Sequence, residues 1–551
     1  MKTIYGKKYY NIGGFLMKFN PLYHRYRSRR NLVYGKNGMV ASSHPLASQV
    51  GIDIMKKGGN AIDAAIGTAA CLTVVEPTSN GIGGDAFALV WSGGELHGLN
   101  SSGPSPKLLT YERIKDLGLD SMPKYGFVPV NVPGVPGAWA ELSKKFGKLS
   151  LKEALEPAIR IAEEGHPIAP TVAYYWDRAF NIYSDNLKGE EFKSWFEVFA
   201  PEGRAPRVGE VWRSPRHAKT LEEIGNTNGE SFYRGDLAEK IDGFSKKYGG
   251  LIRKEDLEGF APEWVDPIRV SYKGYDVWEI PPNGHGIVAL MTLNILNNFD
   301  FKEKDNIDTY HKLIEAMKLA FADGHEYIAD PRFMKVTVED LLSPEYGKER
   351  AKLIGDEALE PKYGDPKSGG TVYFATADGE GNMVSYIQSN YMGFGSGLVV
   401  PETGIALHNR GNNFNIIKNH ANCVGPCKKP YHTIIPGFLT KDGNPVGPFG
   451  VMGAFMQPQG HVQVITNSID FHLNPQDALD APRWQWIKDK TIAVEQDFPN
   501  DIALMLQAKG HNVVVEASSG SFGRGQIIWR DDHGVLCGGT ESRADGHIGV
   551  Y

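Results

Sequence analysis

The run Lys367-Ser-Gly-Gly-Thr-Val-Tyr-Phe374 joins a polar, glycine-rich approach to a row of β-formers at a single threonine, Thr371. Asp378-Gly-Glu-Gly-Asn382 then has hairpin-turn composition, and Met383-Val-Ser-Tyr-Ile-Gln-Ser389 is the return run. A hairpin centred near residue 380 pairs position 371 with position 389 and sets the hydroxyls of Thr371 and Ser389 side by side. A slip of one residue would undo that pairing. A threonine hydroxyl becomes a useful nucleophile only when a base takes its proton. On local pattern alone, an ordinary loop leading into an ordinary hairpin is the better account of the stretch.

Other chemistries lack their motifs. There is no Gly-x-Ser-x-Gly elbow and no Gly-Lys-Ser/Thr phosphate loop. His325-Glu326 is followed by Ala329 where a metalloprotease helix needs its second histidine. Asn80-Gly-Ile-Gly-Gly-Asp85 lies between a helix and a strand, the reverse of a dinucleotide loop, so its glycines read as close backbone approach in a turn. Cys71, Cys423, Cys427 and Cys537 form neither a disulfide framework for 551 residues nor a pair of zinc-binding pairs. No cofactor and no metal are expected.

The elements that must position these residues follow from composition and periodicity. With 41% hydrophobic and 23% charged residues, the chain has the make-up of a globular protein with a large core. A net charge of −6 gives no reason to expect nucleic acid. No run approaches the roughly 18 apolar residues of a membrane span. Residues 1–36 carry nine Lys/Arg and no acid and read as a basic N-terminal arm, with 1–16 a candidate upstream artefact. The apolar part, Ile12 to Met17, is too short for a signal peptide, which favours the cytoplasm and no membrane.

Leu46, Val50 and Ile54 predict a helix from Pro45 to Lys57, and Asn60 with Asp63 predicts a capping box opening an alanine-rich second helix. Helices are also expected at 149–165, 215–225, 235–247 and 308–329. Strands are expected at 86–91 and 275–280, and after residue 370 at 371–377, 383–390, 433–440, 462–466, 511–516 and 525–530. Gly355 to Gly370 is polar and rich in Pro and Gly, the best linker candidate.

From Asn37 to Tyr551 the sequence resembles the γ-glutamyltransferase (γ-glutamyltranspeptidase) family. The matches are collinear: Met39-Val-Ala-Ser-Ser-His-Pro-Leu-Ala-Ser48, Gly58-Gly-Asn-Ala-Ile-Asp-Ala-Ala65, Glu76-Pro-Thr-Ser-Asn-Gly-Ile-Gly-Gly84, Phe232-Tyr-Arg-Gly235, Glu315-Ala-Met-Lys318, Gly370-Thr371, Gly395-Ser-Gly397, Lys429-Pro-Tyr-His-Thr433 and Ser542-Arg-Ala-Asp-Gly546. The resemblance implies an α+β fold, the four-layer αββα sandwich of N-terminal-nucleophile (Ntn) hydrolases. It implies cleavage between Gly370 and Thr371 into a large, mainly helical subunit (37–370) and a small, β-rich catalytic subunit (371–551). The two would stay together as a heterodimer, with a dimer of heterodimers left open. Thr371 would be the N-terminal nucleophile, its own α-amine the base, and Ser389, where the family usually has threonine, the helper hydroxyl. Gly453 and Ala454 match the glycine pair whose N–H groups face the oxyanion, with alanine replacing the second glycine.

The departures concern the substrate. Ser102 stands where typical members hold the glutamyl carboxylate with arginine, and Asn413 where they hold the α-amine with an acid. Losing both argues against tight capture of a free γ-glutamyl end. Arg410 stands where glutamine is common and offers a new cation for a carboxylate placed differently. Tyr391 replaces an asparagine, and His432-Thr433 a serine pair. A short Phe414–Lys429 segment favours hydrolysis over transfer. These features resemble the branch with oxamate amidohydrolase and the glutaryl-type acylases. The expected activity is an autoprocessing threonine amidohydrolase or acyltransferase acting on a γ-glutamyl-like or small carboxylate-bearing amide. The rivals are a true γ-glutamyltransferase or glutathione hydrolase with a rearranged pocket, and an inactive binding module.

Overall fold

A computed structural model describes residues 30–361 and 370–551. Most of the basic arm, and residues 362–369 of the glycine-rich approach, lie outside the described residues. Fourteen strands build two facing seven-stranded sheets. In chain order they are β1 (Val33–Gly35), β2 (Gly38–Ser42), β3 (Asp85–Ser92), β4 (Glu95–Ser101), β5 (Glu263–Val265), β6 (Ile268–Tyr272), β7 (Tyr275–Glu279), β8 (Gly370–Asp378), β9 (Met383–Tyr391), β10 (Gly437–Lys441), β11 (Asn444–Met452), β12 (Arg524–Arg530), β13 (Leu536–Thr540) and β14 (His547–Val550). The first sheet runs β14-β2-β8-β9-β3-β4-β5 and the second β1-β13-β12-β11-β10-β7-β6. Both are antiparallel throughout.

Each sheet is covered on its outer face by helices, which makes the αββα sandwich expected from the sequence. Pro45–Lys56 (α1) and Ala61–Val75 (α2) cover the first sheet. Gly286–Leu296 (α3) and Met456–Ile469 (α4) cover the second. The inner layer is apolar: Met39, Phe87, Leu89, Tyr373, Ile387, Phe438 and Ile528 fill it. α2 starts where the sequence predicts. The Asn60 side chain accepts from the N–H of Ile62 and of Asp63, and the Asp63 carboxylate accepts from the Asn60 N–H at 3.0 Å. Its whole length is buried, which its alanines permit.

Two expectations about strands are corrected. Residues 462–466, where Val462 and Val464 alternate with Gln463, lie inside helix α4. Burial on every side hid the helical period. The telling signal was the i,i+4 pair Gln459 and Gln463, whose amides exchange hydrogen bonds with the backbones of Trp486 and Trp484. The strand expected over 433–440 begins only at Gly437, because the Ile434 and Ile435 N–H groups donate to the His432 and Gln457 side chains and Pro436 has none to give. The arm is also shorter than its assignment to 1–36: Val33–Gly35 pairs with Leu536–Gly538 as an edge strand. Both sheets mix strands from before and after residue 370, so the chain is one interleaved unit.

The two sheets approach closely at Gly450. A Cβ there would lie 2.5 Å from the Tyr373 ring, whose hydroxyl is fixed 2.9 Å from Ser385 Oγ. Gly450→Ala should therefore cost about 1–3 kcal/mol through overpacking, read as a lowered thermal midpoint. An unchanged midpoint would show the ring free to move aside.

Candidate active site

Thr371 is the second residue of β8, at an irregularity in its pairing with β9. Gly370 lies opposite Tyr391 and Val372 opposite Gln388, so two steps on one strand match three on the other. Bulges of this kind re-aim side chains beside functional sites. Thr371 shares the inner face with Tyr373, and its Oγ1 lies 3.0 Å from Ser389 Oγ. Both residues are buried. The adjacent hydroxyls expected from the hairpin are thus present. Ser389 Oγ also accepts the Tyr391 N–H at 2.8 Å. On the next strand Ser389 lies opposite Asp85. Three neighbouring strands therefore present Thr371, Ser389 and Asp85 in a row.

Asp85 is the hub that sequence reasoning missed. Its Oδ2 accepts from His432 Nε2 at 2.9 Å and faces Arg410 Nε at 3.4 Å and His408 Nδ1 at 3.5 Å. Burial alone would raise its pKa. His408, His432 and Arg410 outweigh burial and hold it at about 2. The histidines themselves stay neutral. Burial, then Arg410, takes His432 down to about 3, and burial lowers His408. Their hydrogen bonds fix the tautomers. His408 Nδ1 accepts the Arg410 N–H, and its Nε2–H donates to Asn131 O. His432 Nδ1 accepts from the Ile434 N–H while Nε2–H donates to Asp85. At neutral pH the full positive charge beside Asp85 is therefore that of Arg410. The available signal was a carboxylate opening a strand whose first six residues are all buried.

Arg410 is buried, donates through Nη1 to Thr433 Oγ1 at 2.7 Å, and stacks on Tyr391 with 4.6 Å to the ring centroid. Burial pushes the Tyr391 hydroxyl up to about 12 despite that cation. Tyr391 has φ +74° and Ala454 φ +50°. Positive φ in a non-glycine costs on the order of 1 kcal/mol, and Tyr391 carries that strain within this site.

Gly453 and Ala454 form the turn between β11 and α4. Their carbonyls accept from Met456 and Gln457, while neither of their N–H groups donates among the described residues.

The structure brings together Thr371, Ser389, Tyr391, Arg410, His432 and Thr433. Ser102 and Asn413 stand outside this contact network. The Ser102 hydroxyl donates to Asn100 Oδ1 at 2.7 Å, and Asn413 Nδ2 donates to the Tyr431 carbonyl at 3.1 Å.

His311, Glu315 and His511 have the spacing of a metal-ligand set. A resident cation already serves them: Lys318 Nζ lies 2.7 Å from Glu315 Oε1 and 3.3 Å from His511 Nδ1. His311 and His511 then bond to each other at 3.0 Å, and His311 Nε2 donates to Gly355 O. The donors and acceptors match without an ion. Among the described residues no helix is long and apolar enough to cross a membrane.

A family profile described as Gamma-glutamyltranspeptidase matches residues 47–551. The chain is similar to the glutathione hydrolase-like YwrD proenzyme of Bacillus subtilis (strain 168), 36% identical over 525 residues, 93% of this chain and 98% of the relative. It is similar to the oxamate amidohydrolase proenzyme of Klebsiella pneumoniae subsp. pneumoniae, 32% identical over 94% of this chain and 98% of the relative. The crystal structure of cephalosporin acylase from Bacillus halodurans superposes with a TM-score of 0.95 at 61% identity, covering 97% of this chain and 99% of that one.

Proposed function

From the premise that the chain belongs to the gamma-glutamyltranspeptidase family of Ntn hydrolases, we propose that it cuts itself between Gly370 and Thr371 and then hydrolyses a small carboxylate-bearing or γ-glutamyl-like amide through an acyl-enzyme on Thr371. The observation that carries this reading is the 3.0 Å contact between Thr371 Oγ1 and Ser389 Oγ at the head of a buried strand. In maturation the Thr371 hydroxyl attacks the Gly370 carbonyl. The acyl group moves from nitrogen to oxygen, and water then cleaves the ester, leaving a Gly370 carboxylate and a free Thr371 amine. In turnover that amine takes the hydroxyl proton as Oγ1 attacks the substrate carbonyl. The Gly453 and Ala454 N–H groups receive the oxyanion. The proton passes to the leaving amine, and water releases the acid from the threonine ester.

Arg410 holds the carboxylate of the donor. The two fragments stay associated as a heterodimer, which the interleaving of their strands in both sheets supports. The names of relatives, oxamate amidohydrolase and acylase among them, support the choice of amide hydrolysis over transfer.

The intact mass of the purified protein tests the proposal. Two pieces, 1–370 and 371–551, are expected for the wild type and one uncut chain for Thr371→Ala. A single chain in both would remove Thr371 from the chemistry.

A further inference from the structure

Thr433 brings its Oγ1 to Arg410 from a buried stretch, residues 430–433, that lies outside the strands of both sheets. A buried backbone must still place its N–H and C=O groups. Here the partners come from the turn between β7 and α3 and from side chains. Asn283 Nδ2 donates to the Pro430 carbonyl at 2.9 Å, and the His432 N–H donates to the Asn283 carbonyl at 2.9 Å. The His285 N–H donates to the His432 carbonyl at 2.9 Å, and His285 Nε2–H donates to the Thr433 carbonyl at 2.9 Å. Two further asparagines hold the residue between: the Tyr431 N–H donates to Asn422 Oδ1 at 2.9 Å, and Asn413 Nδ2 donates to the Tyr431 carbonyl at 3.1 Å.

Within this set the His285 ring acts on Thr433 itself. A carbonyl can only accept, so Nε2 carries the hydrogen and Nδ1 accepts from the Tyr431 hydroxyl at 3.2 Å. Burial takes the ring well below the usual histidine pKa, so it stays neutral in that tautomer. Tyr431, Phe455 and Phe321 meet it edge-on, with centroids 5.5, 5.9 and 6.4 Å away, and fix its plane. Threonine is β-branched and stiff at χ1, so the place of Thr433 Oγ1 follows its backbone. Arg410 Nη1 lies 2.7 Å from that oxygen. A shift of the Thr433 carbonyl is therefore passed to the guanidinium.

We propose that His285 is a positioning residue for Arg410, acting through its Nε2–H bond to the Thr433 carbonyl and thereby through Thr433 Oγ1 on the guanidinium. It touches the donor at no point. The inference deepens the hydrolase reading above and rests on it for the task given to Arg410.

Two amide replacements separate positioning from packing. A glutamine amide nitrogen reaches the place of the histidine Nε2 and still donates to the Thr433 carbonyl, whereas an asparagine amide reaches only the place of Nδ1. Both are polar and neutral, as the histidine is. Self-cleavage supplies the control, since attack of Thr371 on the Gly370 carbonyl makes no use of Arg410. A residue that merely supported the fold would slow maturation and turnover together.

The experiment measures, for the wild type, His285→Asn and His285→Gln, the rate of self-cleavage, steady-state turnover of a glutaryl anilide and calorimetric binding of glutarate. His285→Asn should raise KM at least about tenfold with kcat within about twofold, the pattern of lost uniform binding. Glutarate affinity should fall in parallel, and self-cleavage should keep its wild-type rate. His285→Gln should stay close to the wild type in all three. Wild-type KM and glutarate affinity in His285→Asn would overturn the proposal. So would equal losses in the two variants, or a loss of self-cleavage that matches the loss of turnover. Should His285→Asn fail to fold, Tyr431→Phe takes its place: it removes the hydroxyl that fixes Nδ1, and KM should rise about threefold, the scale of one neutral hydrogen bond. An unchanged KM in that variant would overturn the proposal equally. Glutarate binding that depends on His285, in a protein that neither cuts itself nor turns over the anilide, would instead sink the hydrolase reading and leave the positioning role standing.

Discussion

A protein assembled from residues 1–370 and a second chain that begins with alanine at position 371 is expected to lose amide turnover by on the order of 10⁴-fold or more, the scale seen when a nucleophile is removed. This pre-cut design separates two effects that a simple Thr371→Ala chain confounds. The uncut variant lacks both the hydroxyl and the free α-amine, whereas the pre-cut pair keeps the amine and loses the hydroxyl together with the Cγ2 methyl. The same assembly starting with serine should retain turnover, because it keeps a hydroxyl at the same atom. Steady-state rates on an amide donor, with the wild-type sequence assembled in the same way as control, make the comparison. Turnover by the alanine-first pair within tenfold of control would move the nucleophile elsewhere. Ser389, 3.0 Å from Thr371 and equally buried, is then the next hydroxyl to examine. Assembly itself is expected to require both pieces together, since β8 and β9 pair with β2 and β3 inside one sheet.

Legibility in the sequence followed the range of the interaction that decides each feature. The hairpin register came out because it is local: a turn near residue 380 forces positions 371 and 389 together, and the bulge preserves the hydroxyl contact. The α2 capping box was equally local. Helix α4 misled because its surroundings, not its own period, make it helical: Met456 to Asn467 are all buried, so polar and apolar residues no longer mark two faces. Asp85 stayed hidden for a related reason. It lies 325 positions from Arg410 and 347 from His432, and only loop contacts, among them the bridges of Gly83 with Leu407 and of Gly284 with His432, bring these groups to one point. Arg410, Tyr391 and Thr433 could be singled out by position. Their mutual contacts, and the separation of Ser102 and Asn413 from them, depend on how loops meet at the end of the sandwich.

Arg410→Gln is expected to lower stability by about 3–5 kcal/mol, because it leaves the Asp85 carboxylate buried without its cation. Adding Asp85→Asn should recover most of that loss, since two neutral amides replace a half-broken ion pair. The double variant should still bind a carboxylate-bearing donor poorly, with KM raised roughly 100-fold for a lost charge-assisted contact. The pH dependence of melting supplies an independent check. In the wild type the Asp85 pKa of about 2 lies below the ordinary aspartate value. Its contribution to stability is therefore fully present above that ordinary value and is lost only as pH falls toward 2, giving no slope between pH 5 and 8. Without Arg410, the two neutral histidines leave the buried carboxylate with no full positive charge beside it, and the folded protein is expected to take up one proton, on Asp85 or on the His432 bonded to it. Either placement neutralises the carboxylate's field. The stability deficit of Arg410→Gln relative to wild type should then grow as pH rises from 5 to 8 and vanish in its dependence on pH when Asp85 is also asparagine. A deficit constant across that range would mean that the neutral groups around Asp85, rather than Arg410, carry its charge.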